Sequence, residues 1–169
     1  GEMHSDYAQV LVNLAAIYHL TGKLDESEAC FQQALVIRRE KKANNMRAYI
    51  LTVNNFAALY RDMKKYPEAE ALLKEAIEFR AKYRDKRPLD YASSVNGLGI
   101  LYKEMGRYPE ADSLMRICQA IRLQELGNNS EDYLQSVRYL VDVHARMGRF
   151  DLVDNDLLEE TGIQAAILH

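Results

Sequence analysis

A repeat of 42 residues organises the whole chain. The string YKEMGRYPEAD at residues 102–112 nearly repeats YRDMKKYPEAE at 60–70, and weaker copies, YHLTGKLDESE and HARMGRFDLVD, occupy 18–28 and 144–154. The copies begin at Tyr18, Tyr60, Tyr102 and His144, each 42 residues after the one before. Self-similarity at a fixed period of about 20–50 residues is typical of chains that stack one supersecondary unit.

The pattern predicts that each unit is a helical hairpin. In the second copy, apolar residues recur at Val53, Phe56, Ala57 and Tyr60, which is the spacing of one helix face. A Gly or Lys then ends this helix, and Pro67 falls in the first turn of a second helix, where its missing N–H costs little. The second helices carry a small and a bulky column that let the paired helices interlock: Ser27, Ala69, Ala111 and Val153, then Phe31, Leu73, Met115 and Leu157.

This arrangement resembles the tetratricopeptide repeat (TPR). The signature of that family is matched in the first copy by Leu11, Leu14, Ala15, Tyr18, Gly22, Ser27, Phe31 and Ala34. The period is longer than the usual one of about 34 residues, and Arg39, Ala81 and Leu123 replace the proline that normally ends the second helix. Both departures are similar to the repeats of kinesin light chains and related bacterial proteins. The resemblance covers residues 6–154 and implies an all-α fold, a right-handed superhelix (α-solenoid) of about four hairpins.

We divide the chain into a short extension and four repeats. Residues 1–5 form the N-terminal extension, in which Gly1 resembles a cloning remnant, and the repeats occupy 6–47, 48–89, 90–131 and 132–169. The fourth repeat is degenerate because Glu160 breaks its small-residue column, and any extra helix is expected in the tail after Gly162. Terminal repeats are commonly atypical, since one face lacks a neighbour. We expect the chain to be part of a longer polypeptide.

Composition narrows the classes of function. The net charge of −3 argues against general nucleic-acid binding, which needs a basic face, and no apolar run approaches the length of a membrane span. Cys30 and Cys118 lie about two repeats apart and in apolar stripes, so we expect buried free thiols and a cytoplasmic protein.

The sequence contains no catalytic constellation. The four histidines, His4, His19, His144 and His169, have no metal-ligand spacing, and His144 stands in the tyrosine column, which indicates a packed side chain. The Gly97-x-Gly99 pair lies inside a predicted helix and lacks the strand of a dinucleotide fingerprint. We therefore predict a non-enzymatic protein without metal or cofactor.

Asparagines recur on the face of the first helices that is opposite the core stripe. They are Asn13, Asn54, Asn55 and Asn96, and Arg61, Lys103 and Arg138 stand on the flank of the same face. Asn is unfavourable in a helix middle, and its amide both donates and accepts, so a ladder of amides can bind an extended peptide backbone. The resemblance implies that these residues line a concave cargo groove. The alternative is that the asparagines link neighbouring first helices by hydrogen bonds.

Three functions fit these observations. The leading one is a scaffold that binds a peptide or protein segment in the groove, without nucleic acid or membrane as a partner. A second is a regulatory or sensor segment of a larger, multidomain enzyme. A third is a structural spacer that self-associates through its end faces, helped by a charge that runs from mildly positive in the first two repeats to negative in the last two.

Overall fold

The chain folds as consecutive helices joined by short turns. The computed structural model describes residues 2–40 and 45–153. Seven helices lie within these residues: α1 (Glu2–Leu20), α2 (Leu24–Glu40), α3 (Met46–Asp62), α4 (Tyr66–Ala81), α5 (Pro88–Glu104), α6 (Tyr108–Leu126) and α7 (Glu131–Arg146). Residues 150–153 are also helical, and no strand occurs in the described part of the chain. The predicted all-α fold is confirmed, whereas the predictions for Gly1, Leu157, Glu160, His169 and the tail after Gly162 lie outside the described residues.

The same turn ends the first helix of every hairpin. In the first, the N–H of Gly22 donates to the carbonyl of His19 at 3.1 Å and that of Lys23 to the carbonyl of Tyr18 at 2.9 Å, the two bonds of a Schellman motif. The motif needs a left-handed residue, and the 42-residue column supplies Gly22, Lys64, Gly106 and Gly148, all with φ between 60° and 76°. Lys64 therefore adopts a backbone conformation that costs a side-chain-bearing residue roughly 1–2 kcal/mol.

The described residues form two compact units, which divide between Ala76 and Ile77. In unit 1, α1 packs on α2 and α2 on α3. Its core is aromatic: the Phe31 and Phe56 rings stack at 5.4 Å between centroids, and Phe56 stacks on Tyr60 at 4.3 Å. The buried Ser27 hydroxyl donates to the carbonyl of Ala15 at 2.8 Å, so the small column brings α2 close to α1.

In unit 2, α5 packs on α6 and α6 on α7. The core includes Val95, Leu98, Met115, Val137 and Leu140, each at most 4% exposed. A Cβ atom added at Gly99 would lie 3.1 Å from Cγ of Met115 and 3.6 Å from Cβ of Leu114. The glycine thus stands where α5 crosses α6 closely, as the small column predicts.

Candidate peptide-binding surface

The four predicted asparagines lie on the first helices of the hairpins: Asn13 on α1, Asn54 and Asn55 on α3, and Asn96 on α5. All four are at least partly exposed. Each unit therefore has its own amide-bearing surface, which we name by its helices: the α1–α3 patch in unit 1 and the α5–α7 patch in unit 2.

A histidine–aspartate hydrogen bond crosses the α1–α3 patch. His19 Nε2 lies 2.8 Å from Asp62 Oδ2, which joins the ends of the two helices. On α1, Gln9 donates from Nε2 to Oδ1 of Asn13 at 3.0 Å. Asn55 on α3 is partly exposed and has no hydrogen bond inside the described part of the chain.

An ion pair crosses the α5–α7 patch. Lys103 Nζ lies 2.7 Å from Asp142 Oδ2 and 5.3 Å from the centre of the Tyr139 ring. Arg146 Nε lies 2.9 Å from the other Asp142 oxygen. The hydrogen bond from Lys103, followed by that from Arg146, holds the pKa of the Asp142 carboxyl below its usual range. Lys103 is only 19% exposed, so its charge is neutralised within the patch.

Asn54 and Asn96 share a feature that no other described asparagine has. The Oδ1 atom of each is buried and has no hydrogen-bond partner among the described residues. The two positions are 42 residues apart, so the same unsatisfied oxygen recurs in consecutive repeats. A buried acceptor without a donor costs roughly 1–3 kcal/mol of folding free energy, so each of these two amides destabilises the folded protein.

The remaining predicted cations are engaged as well. Arg61 Nε lies 3.4 Å from Oδ1 of its neighbour Asp62, and Arg138 Nη1 lies 2.8 Å from Oε1 of Glu131. Among the described residues, the hydrogen bond of His19 to Asp62 links α1 to α3, and the ion pair of Lys103 with Asp142 links α5 to α7.

Sequence analysis missed a column of arginines on the second helices, of which Arg38 and Arg122 are buried and Arg80 is partly buried. Arg122 donates from Nη1 to the carbonyl of Asp132 and to Oγ of Ser136, both at 2.8 Å. Arg80 binds the equivalent Asp90 carbonyl and donates to Oγ of Ser94 at 2.9 Å. Arg80 and Arg122 thus tie a second helix to the next first helix, whereas Arg38 ties α2 to α1 of its own hairpin. Their 42-residue spacing is the sequence signal that could have marked them as structural.

A second inter-repeat contact uses the tyrosine column. In unit 1, Glu28 of α2 accepts from the Tyr60 hydroxyl at 3.1 Å and lies 2.6 Å from Lys65 Nζ. In unit 2, His144 replaces the tyrosine, is completely buried, and lies 2.7 Å from Asp112 Oδ1. The packed histidine expected from the sequence is confirmed.

The described residues contain no group of three or more His, Cys, Asp or Glu residues able to hold a metal ion. A cavity of about 360 Å³ in unit 1 has an apolar floor that includes Leu35, Phe56 and Leu72. At its rim Glu75 binds Arg39 and the Tyr49 hydroxyl, so its carboxylate is fully engaged.

The cysteines are free thiols. Burial raises the pKa of both Cys118 and Cys30, which keeps them in the unreactive protonated form. Cys118 is buried as expected, whereas Cys30 is only partly buried. None of the described helices has the length and apolar character required to cross a lipid bilayer.

A sequence model of the tetratricopeptide repeat family matches residues 6–82 and 47–116. The chain belongs to the TPR family. Comparison with curated protein sequences gave no match. The predicted hairpins are thus TPR units, and TPR domains generally act as non-enzymatic scaffolds for protein partners.

Solved structures of TPR proteins share the fold. BtubC from P. vanneervenii is 24% identical with a TM-score of 0.80, over 95% of this chain and 64% of that one. A kinesin-light-chain-type protein of Podosopora anserina with nearly identical TPR-like repeats is 22% identical with a TM-score of 0.79, over 95% and 76% of the two chains. A Rap protein complexed with competence and sporulation factor is 19% identical with a TM-score of 0.76, over 95% and 43%. The chain thus spans a little under two thirds of BtubC and less than half of the Rap protein.

Proposed function

We propose that this TPR chain is a non-enzymatic scaffold that holds an extended peptide segment of a partner protein on the asparagine-bearing faces of its first helices. The observation that carries the proposal is the buried, unpartnered Oδ1 of Asn54 and Asn96. Each of these residues remains partly exposed. A rotation of the side chain therefore brings the whole amide to the surface, where a peptide backbone offers both an N–H and a carbonyl.

Binding would relieve a penalty that the free protein carries. In the unliganded patch the oxygen has lost its water and gained no donor. A backbone N–H from the ligand restores one hydrogen bond, with a net contribution of about 1 kcal/mol. Because backbone groups are the same in every peptide, this contact sets the path of the ligand and leaves selectivity to the surrounding side chains.

The surrounding side chains favour an uncharged segment. In the α5–α7 patch, Asp142 pairs with Lys103 and Arg146, and in the α1–α3 patch Asp62 pairs with His19. A ligand carboxylate would have to displace an existing partner, so charge gives little attraction. Leu51, which is 51% exposed beside the amides of α3, offers an apolar contact instead.

A matched set of variants tests the proposal. Random dodecapeptides displayed on phage are selected on the immobilised chain, and fluorescence anisotropy then gives the Kd of the selected peptides. Asn54→Ala combined with Asn55→Ala should raise the Kd roughly ten- to thirtyfold, at about 1 kcal/mol for each lost hydrogen bond. Asn45 is the matched control on the same helix, because its side chain caps α3 through the N–H of Ala48. Asn45→Ala should lower stability by about 1 kcal/mol and leave the Kd unchanged.

The outcomes separate the parts of the proposal. Selected peptides that are rich in aliphatic residues and bind with similar Kd at low and high salt support the neutral surface. If the selected peptides are acidic and their Kd rises with salt, the neutral surface is refuted, but the scaffold function still stands. If substituting both asparagines leaves the Kd of the selected peptides unchanged, the amide contact itself is refuted.

A second candidate function is a regulatory segment of a larger protein. It is favoured by the share of its structural relatives that the chain spans, 64% of BtubC and 43% of the Rap protein. The complete gene sequence tests it, since a catalytic domain encoded beside these repeats would support the regulatory role. We also place the protein in the cytoplasm, on the strength of its two free cysteines.

A further inference from the structure

The first helix carries an apolar stripe that faces away from the hairpin core. Tyr7, Val10 and Ile17 are 53%, 59% and 57% exposed, and Leu14 between them is partly exposed. At about 100° per residue these four side chains fall within an arc of roughly 80°. We call this stripe the outer face of α1. Isolated exposed apolar residues are ordinary, but a contiguous row on one helix indicates an interaction surface.

Equivalent positions in later repeats show that this face is built to be covered. In α3, against which α2 packs, the residues 42 positions after Tyr7, Val10 and Ile17 are 0%, 1% and 0% exposed. In α7, against which α6 packs, the corresponding residues are 1%, 1% and 0% exposed. Since a helix buries the same columns in both units, the occupant of the outer face of α1 is also a helix.

The identity of Val10 distinguishes α1 from α5 and α7. At the equivalent positions in those helices, Ser94 and Ser136 each accept a hydrogen bond from an arginine of the preceding helix. In α3 the equivalent Thr52 is buried without such a bond, because Arg38 of α2 donates to α1 instead. Val10 likewise offers no acceptor, so an apolar side chain of the covering helix suits this point.

Charge and spacing point to α1 itself as that helix. Tyr7, Val10, Leu14 and Ile17 follow the 3-4-3 spacing of a coiled-coil seam. From Tyr7 to Leu20 the helix contains no Asp, Glu, Lys or Arg, so two copies meet without repulsion between like charges. In an antiparallel pair with its two-fold axis level with residue 12, Tyr7 lies opposite Ile17 of the other copy and Val10 opposite Leu14. Every layer of the seam is then apolar.

We propose that the outer face of α1 binds the same face of a second copy of this chain and forms an antiparallel, two-fold symmetric homodimer. A two-fold interface uses one self-complementary patch on both subunits. The proposal does not rest on the proposed function, because this stripe contains none of the asparagines of the α1–α3 patch.

Sedimentation equilibrium tests the dimer. Interfaces below about 1,200 Å² are usually weak, so the chain is measured over a wide range that reaches roughly 500 µM. We expect the apparent mass to rise from 19.4 kDa towards about twice that value. Val10→Asp combined with Ile17→Asp should give the monomer mass at every concentration. Val36→Asp on α2 is the control, because Val36 has the same 59% exposure as Val10 and lies outside the seam.

A cross-linking experiment tests the register. In a Cys30→Ser background, one preparation carries Tyr7→Cys and another Ile17→Cys. Antiparallel pairing predicts that mild oxidation of the mixture links the two preparations to each other and leaves each one alone uncrosslinked. Disulfides within each separate preparation would refute the antiparallel register. A wild-type chain that stays monomeric throughout, or a dimer abolished by Val36→Asp, would overturn the proposal.

Discussion

Replacing Asn96 by leucine should stabilise the protein and weaken peptide binding at the same time. The side chains are similar in size, and the substitution removes an Oδ1 atom that is buried without a hydrogen-bond partner. Such an acceptor costs roughly 1–3 kcal/mol, and leucine adds a few tenths of a kcal/mol in helix propensity. Because Asn96 is partly exposed and already has some freedom to relax, we expect a net gain of about 1 kcal/mol, or roughly 2–4 °C in Tm for a chain of this size.

The assay combines thermal unfolding followed by circular dichroism with anisotropy of a selected peptide. Asn13→Leu is the control, since Oδ1 of Asn13 is exposed and already accepts a hydrogen bond from Gln9. The free energy of unfolding of this variant should rise only by the small contribution of helix propensity. For Asn96→Leu the Kd of a peptide bound to unit 2 should rise by about fivefold or more, which corresponds to one hydrogen bond. A lower Tm would show that the amide makes a stabilising contact in the free protein. A higher Tm with an unchanged Kd would show that the unsatisfied oxygen has no part in binding.

Three other predictions concern stability. Gly99→Leu should destabilise the protein by roughly 1–3 kcal/mol or more, because its side chain would be forced into the close crossing of α5 and α6; an unchanged urea midpoint would contradict that crossing. Lys64→Gly should add about 1 kcal/mol by relieving the left-handed backbone, whereas Lys23→Gly, one residue beyond the equivalent position, should give no gain in the same urea titration. Lys103 depresses the pKa of Asp142. That carboxylate therefore stabilises the fold above its unfolded pKa of about 3.9, and this contribution is lost as the pH falls through the lower folded value. Asp142→Asn should remove the acid-induced loss of stability, which is well under 1 kcal/mol for a partly exposed pair.

The hairpins were predictable because their causes are local and periodic. The spacing of Val53, Phe56 and Tyr60 marks one helix face, and the Gly22 column marks the Schellman turn that ends it. Side-chain partners were less predictable. Lys103 reaches Asp142, 39 residues further along the chain, and its choice depends on how α5 lies against α7. Periodicity shows which residues are equivalent, but it does not show which acidic residue a flexible lysine will contact.

The asparagine ladder shows the same limit. The sequence places four amides on one helix face, yet the oxygens of Asn54 and Asn96 differ from that of Asn13 in being buried and unpartnered. That difference arises from packing around each side chain, which no single-sequence pattern records. The arginine column is visible at its 42-residue spacing, but charged residues near helix ends are usually solvated, so the spacing alone does not show that these side chains are bound between helices.

The arginine column also bears on how the protein unfolds. Arg80 and Arg122 each bind the first helix of the following hairpin, whereas Arg38 donates to Ser5 at 3.0 Å and Gln9 at 3.1 Å on α1, within its own hairpin. In a linear array, cooperativity depends on the free energy of each junction between neighbours. Among the described residues, the junction from α2 to α3 has no arginine link of the kind that the later junctions have, so the α1–α2 hairpin is the segment that should open first, with faster amide exchange than α6 and α7.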